Sequence, residues 1–209
     1  MADLDPSAFP DLAAVPRPLL SAAEIVRARA SSVVFRRGCR PRFLYFVLDG
    51  ELRLVRHTRR GQEVILQRVR RGYIAEASIE APNYHCDAVA AVESRLLRFP
   101  AAAFRSRLGS NARFRDAWLR QLAGEVRRLR ARCERLSLRG ARERIVHFVE
   151  SEGGGAVALG HSLKSWAAEL GLTHEALYRA LARLKSDGEI TVKGDIVELR
   201  GRRQRGRSA

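Results

Sequence analysis

Ser162-Leu163-Lys164-Ser165-Trp166-Ala167-Ala168-Glu169-Leu170-Gly171-Leu172-Thr173-His174-Glu175-Ala176-Leu177-Tyr178-Arg179-Ala180-Leu181-Ala182-Arg183-Leu184 is the stretch on which the fold turns. Small Ala167 allows two helices to approach, and Gly171, four residues on, supplies a tight turn between them. Leu177 and Ala180 then face inward on the second helix, the spacing of a helix-turn-helix. Thr173 is placed to cap the second helix, and Leu172 with Leu177 to staple its entry. Leu177, Leu181 and Leu184 define the buried face, so His174, Glu175, Tyr178 and Arg179 form the outer one. In a major groove Arg179 can donate to guanine O6 and N7, and Glu175 can accept from cytosine N4. The same four-residue spacing also suits an ordinary helix salt bridge.

Downstream, Ile190-Thr191-Val192 and Ile196-Val197-Glu198-Leu199 flank Lys193-Gly194-Asp195, a hairpin that reads as the wing of a winged helix. Lys193 is the candidate phosphate contact. The Gly/Arg-rich tail from Arg200 to Ala209 suits either a solvated terminus or added nonspecific DNA affinity.

Upstream, Leu119, Leu122, Val126, Leu129, Cys133 and Leu136 recur at spacings of 3, 4, 3, 4 and 3, a heptad seam on a long helix. Packing on the chain's own β-structure would also use such a stripe. A parallel dimer through Leu122, Val126, Leu129, Cys133 and Leu136 is the expectation. Ser137-Leu138-Arg139-Gly140 breaks the seam as a hinge, and Ala141–Glu150 is predicted helical.

Residues 33–99 alternate like antiparallel strands. Phe43-Leu44-Tyr45-Phe46-Val47-Leu48 is a buried-strand run stopped at Asp49-Gly50, and glycines at 50, 61 and 72 recur every 11 residues. That rhythm suits a small barrel or jelly roll. Ser21 and Glu24 fit a capping box, so residues 21–30 are predicted as a short helix. The expected fold class is α+β: an antiparallel β jelly roll or barrel over 1–110, a dimerisation helix over 111–138, and a winged helix-turn-helix with basic tail over 139–209.

Lys and Arg total 39 against 23 Asp and Glu, a formal net charge of +16 that points to polyanionic partners, double-stranded DNA first. No apolar run approaches the roughly 18 residues of a membrane span, and the acidic start lacks a signal peptide, so a cytoplasmic, membrane-free protein is expected. Three dispersed cysteines make no disulfide framework. No P-loop, nucleophile elbow, HExxH or dinucleotide fingerprint appears, so no enzyme is expected.

A Gly-punctuated β-domain, a seam helix and a winged helix, in that order, resemble the CRP/FNR family of bacterial regulators over about residues 25–200. The likeness is specific in Leu172–Leu184 and in the Phe43–Gly50 and Gly61–Ile74 hairpins. It implies an effector-responsive homodimer on a palindromic site, with RNA polymerase as a further candidate partner. The family's half-site readers are a Glu and an Arg four residues later, matched by Glu175 and Arg179. Tyr178 stands where the best-known members have Ser or Gly, and His174 where the cyclic-AMP branch has Arg. A TGA-like half-site core is compatible with this set.

The family's cyclic-nucleotide pocket is similar to a Gly-Glu-x segment followed by an Arg-Ser/Thr pair. Here the segments read Ala75-Glu76-Ala77 and Pro82-Asn83-Tyr84-His85-Cys86-Asp87, without the Gly and the Arg. Cyclic AMP and cyclic GMP are therefore not expected, since a cyclic phosphate loses its charge-assisted partner. Cys86 with His85, and Cys133 at the seam, are candidate ligands for a soft metal such as Cu(I) or Zn, or oxidation targets. A small buried apolar role is the alternative for each cysteine. Haem-dependent or ligand-independent regulation, or a winged-helix adaptor that binds protein, stay open.

Overall fold

The computed structural model describes residues 8–61, 63–159 and 162–200. The expected basic tail beyond Arg200, and Gln62 in the Arg59–Gln62 turn, lie outside them. The chain divides into two compact units, Met1–Leu122 and Ala123–Ala209.

The first unit begins with a helix, α1 (Arg17–Ser21), and two strands, β1 (Glu24–Ala28) and β2 (Val33–Phe35). β3 (Phe43–Asp49), β4 (Leu52–His57), β5 (Glu63–Val69), β6 (Gly72–Ile74), β7 (Asp87–Ala90) and β8 (Ser94–Pro100) follow. Two four-stranded antiparallel sheets result, in the orders β1-β8-β3-β6 and β2-β7-β4-β5, the jelly-roll arrangement expected. The strand alternation of β3 explains its unbroken apolar run. Tyr45 and Val47 point between the sheets, onto Phe35, Leu54, Ala88 and Leu96. Leu44, Phe46 and Leu48 point the other way, against Leu12, Leu19, Phe104, Phe114 and Trp118.

The Gly50 turn, at φ +95, admits no side chain: a Cβ there would sit 2.3 Å from Ser94 Oγ and 2.7 Å from Glu93 O. One expectation fails. Residues 21–30 are not a helix begun at Ser21: α1 ends there and Glu24–Ala28 pairs with β8, Glu24 opposite Arg98 and Val26 opposite Leu96. β-Branched Ile25 and Val26 gain partners on the sheet edge that an isolated turn of helix would lack.

After α2 (Ala101–Ser110) comes the long helix α3 (Ala112–Ser137). Its Phe114 and Trp118 are buried in the core shared with Tyr73 and Phe104. Leu122 is partly buried against that core. Leu119, Val126, Leu129 and Leu136 are 57%, 45%, 44% and 41% exposed, and Cys133 is exposed as well. Four large side chains left in water along one stripe make that stripe an unpartnered face of the single chain.

The second unit holds α4 (Ala141–Gly153), β9 (Ala156–Ala158), α5 (Leu163–Glu169), α6 (His174–Ser186), β10 (Ile190–Lys193) and β11 (Ile196–Leu199). Its core joins Ile145, Phe148 and Val149 of α4 to Trp166, Leu170, Leu177, Leu184, Ile190 and Val197. β10 and β11 form the wing, with Lys193 opposite Ile196 across Gly194-Asp195. β9 extends it to a third strand by pairing with β11. That short strand follows Gly153-Gly154-Gly155, whose loop character hid it in the sequence.

Candidate nucleic-acid interface

α6 buries one face and turns a polar one outward. Its entry is capped by Thr173, whose Oγ1 accepts the Ala176 N–H at 3.1 Å, and Leu172 packs against the unit's core. Leu177 and Leu184 are fully buried, and Ala180 and Leu181 partly so. Those contacts lock the helix's rotation, and they leave His174, Glu175, Tyr178 and Arg179 exposed together. The preceding turn is held by Leu172 N–H donating to Ala167 O at 2.8 Å and by Gly171 at φ +64.

Hydrogen bonds from its own backbone N–H and from the Thr173 hydroxyl hold the Glu175 carboxyl below its ordinary range, and the His174 and Arg179 charges add to them. It is thus an ionised acceptor at the helix start, where the macrodipole favours negative charge. The rings of His174 and Tyr178 meet edge-to-face, centroids 4.6 Å apart at 63°. Farther along, Arg183 reaches Asp187, 3.9 Å away across an exposed turn. Lys193 is exposed at the end of β10, beside the wing turn. The face therefore offers planar and point-like cations, a carboxylate acceptor and an aromatic pair, chemistry suited to base edges and phosphates.

Sequence reasoning missed Arg144. From α4 its Nε donates to Leu138 O at 2.8 Å, and Nη1 to Leu170 O at 3.1 Å and Gly171 O at 3.0 Å. Nη2 reaches Leu136 O at 3.3 Å. One guanidinium thus joins the carbonyls closing α3 to those of the turn ahead of α6. No spacing in the chain announces this. Arg142, two residues away, instead takes Glu189 ahead of the wing, Nε donating to Oε1 at 3.0 Å.

The expected sensory residues sit otherwise. Cys86 is 1% exposed in the inter-sheet core, and burial pushes its thiol from 9.0 up to about 11, with Glu76 and Asp87 adding to the rise. A thiolate ligand or redox thiol needs the opposite shift. His85 is exposed, in a bend ahead of β7 rather than in a strand. Its Nδ1 lies 3.0 Å from Ser78 Oγ, and burial together with the Arg56 charge lowers its pKa. Cys133 lies on α3 in the second unit. Among the described residues no group of three or more His, Cys, Asp or Glu is gathered to hold a metal ion. Between the sheets, Phe35 stacks on Tyr84 at 4.0 Å and on Tyr45 at 5.8 Å, and Tyr84 Oη donates to Phe43 O at 2.7 Å. Ala75 adopts a left-handed backbone, φ +72, at the position where the sequence lacks glycine.

Residues 25–111 match the family model of the cyclic nucleotide-binding domain. No curated protein sequence matches the chain. Among solved structures, the chain is similar to FixK2 from Bradyrhizobium japonicum, at 21% identity over 86% of this chain and 93% of that one, with a TM-score of 0.66. It is similar also to the c-di-GMP-responsive global regulator CLP of Xanthomonas campestris, at 21% identity, 87% and 96% coverage and a TM-score of 0.60. The catabolite activator protein of Thermus thermophilus aligns at 22% identity, 91% and 93% coverage and a TM-score of 0.51. At these identities the likeness is one of fold, and it extends through both units. Among the described residues no helix is long and apolar enough to cross a membrane.

Proposed function

We propose that the chain is a CRP/FNR-type transcription regulator, a homodimeric, sequence-specific DNA-binding protein whose β-domain does not answer to cyclic AMP or cyclic GMP. The cyclic nucleotide-binding domain match over residues 25–111 and the fold shared with FixK2 and the Thermus catabolite activator protein support this reading. The observation that carries the DNA-binding assignment is the outer face of α6. His174, Glu175, Tyr178 and Arg179 stand exposed on a helix whose other side is buried. Arg179 and Glu175 read base edges, Thr173 caps the helix and holds Glu175 at the DNA face, Lys193 contacts phosphate, and the net charge of +16 supplies the attraction to the duplex.

The dimer assignment rests on the exposed stripe of Leu119, Val126, Leu129 and Leu136 on α3, with Leu122 and Cys133 in the same register. In a two-fold pair these positions repeat across the seam, and a two-fold reader calls for a palindromic site. The nucleotide assignment rests on the aromatic filling of the roll by Phe35, Tyr45 and Tyr84 and on a Pro82–Asp87 segment without Arg. Cys86 takes a packing role there.

Selection from a random-sequence duplex pool tests the central assignment. Inverted repeats should be enriched, and their affinity should fall steeply with salt. A pool that stays random after repeated rounds would overturn sequence-specific binding.

A further inference from the structure

Tyr178 is 50% exposed, while the other described Phe, Tyr and Trp rings are buried or partly buried. It does not stand alone on the surface. His174, one helical turn earlier, meets it edge-to-face at 4.6 Å. The pair runs along α6 parallel to Glu175 and Arg179, each set spaced i, i+4 and offset by one residue. The outer face of the helix thus carries two adjacent stripes, one charged and one aromatic.

The charged stripe matches the donors and acceptors of base edges. The face of the Tyr178 ring adds an apolar surface beside them, which hydrogen-bonding groups of a base do not match. In the major groove the apolar group that distinguishes one base is the 5-methyl of thymine. From this juxtaposition, and resting on the DNA-reading assignment of α6, we propose that Tyr178, held by His174, reads thymine through its 5-methyl group at a position beside the Glu175–Arg179 contact. Tyr178 supplies the ring face. His174 is the positioning residue, since a ring packed on one side has fewer rotamers to lose on binding.

Uracil is the natural probe, because it keeps every hydrogen-bonding group of thymine and lacks only the methyl. The full-length protein is titrated with an enriched duplex and with versions in which each thymine of the half-site is replaced singly by deoxyuridine. At one position the replacement should weaken wild-type binding about fourfold per half-site, as expected for one buried methyl. Tyr178→Ala should weaken binding by a similar or somewhat larger factor and be indifferent to uracil there. Tyr178→Phe should retain the wild-type response, and His174→Ala should reduce it. Wild-type protein that ignores uracil at every thymine, or Tyr178→Ala that keeps full sensitivity, overturns the inference while leaving DNA reading by α6 intact. If no duplex is enriched at all, the DNA-reading assignment falls and the thymine contact with it.

Discussion

The guanidinium of Arg144 and the backbone of Gly171 form one joint: Nη1 donates to the Gly171 carbonyl at 3.0 Å, and a Cβ built on Gly171 would lie 3.1 Å from that same Nη1. It would also lie 3.0 Å from Cδ2 of Leu136, a residue of the exposed seam on α3. The end of the seam helix and the turn that aims α6 therefore share one crowded point.

Arg144→Ala removes the bonds to Leu136, Leu138, Leu170 and Gly171 together. Unfolding of the second unit should become easier by roughly 2–3 kcal/mol, because several partly buried carbonyls lose a charged donor. Lys at this position should not restore the loss, since a single ammonium lacks the planar fork. Gly171→Ala should cost about 1–2 kcal/mol for the left-handed backbone alone. Urea denaturation followed by tryptophan fluorescence reads both, and a wild-type midpoint for Arg144→Ala would show the joint to be energetically idle.

Leu129→Glu should produce monomers. It places a carboxylate in the middle of the stripe formed by Val126, Leu129 and Leu136, where two copies would bring like charges together. Sedimentation velocity gives the answer directly, and an unchanged dimer would move the interface away from this stripe.

Arg179→Ala and Lys193→Ala should separate specificity from affinity. Losing Arg179 should cost about 1–3 kcal/mol per half-site and relax the preference at one base pair. Losing Lys193 should weaken all sequences alike and lower the salt slope by about one per subunit. Competition with single-base operator variants distinguishes them. Full retention of sequence preference by Arg179→Ala would remove α6 from the groove.

Isothermal titration with cyclic AMP or cyclic GMP should show no heat of binding up to millimolar nucleotide. The stacked Phe35, Tyr84 and Tyr45 occupy the inter-sheet space, and no Arg stands in Pro82–Asp87. Micromolar affinity for either nucleotide would contradict the proposed ligand class.

The Cys86 thiol should be chemically silent in the folded protein. Cys39 is exposed and should react promptly with a disulfide reagent at neutral pH, Cys133 once Leu129→Glu opens the α3 seam, and Cys86 only after denaturation. Because folding raises the Cys86 pKa from 9.0 to about 11, the unfolded chain loses this proton first as pH rises. The thiol's contribution to stability is therefore complete below pH 9 and declines between about 9 and 11. A native-state count of three fast thiols would return Cys86 to the list of sensory candidates.

Local periodicity made the helices and most strands legible. A stripe at 3.6 residues, a Thr cap and a Gly turn act within a few residues, so Thr173, Gly171 and Leu177 announced α6, and the heptad spacing announced α3. The outward set His174, Glu175, Tyr178 and Arg179 followed by subtraction once the buried face was known. Partners far apart in sequence were decided only by tertiary structure. Glu24–Ala28 is a strand because β8, about seventy residues on, offers it an edge, overriding a local capping pattern. Cys86 is buried because two sheets close over it, whereas sequence shows only a thiol beside an imidazole. Arg144 becomes a joint because the ends of α3 and α5 bring four carbonyls within its reach, and carbonyls leave no mark in a sequence. Spacing along a chain records how an element repeats; what a long, charged side chain meets depends on how elements pack, and that information is nonlocal.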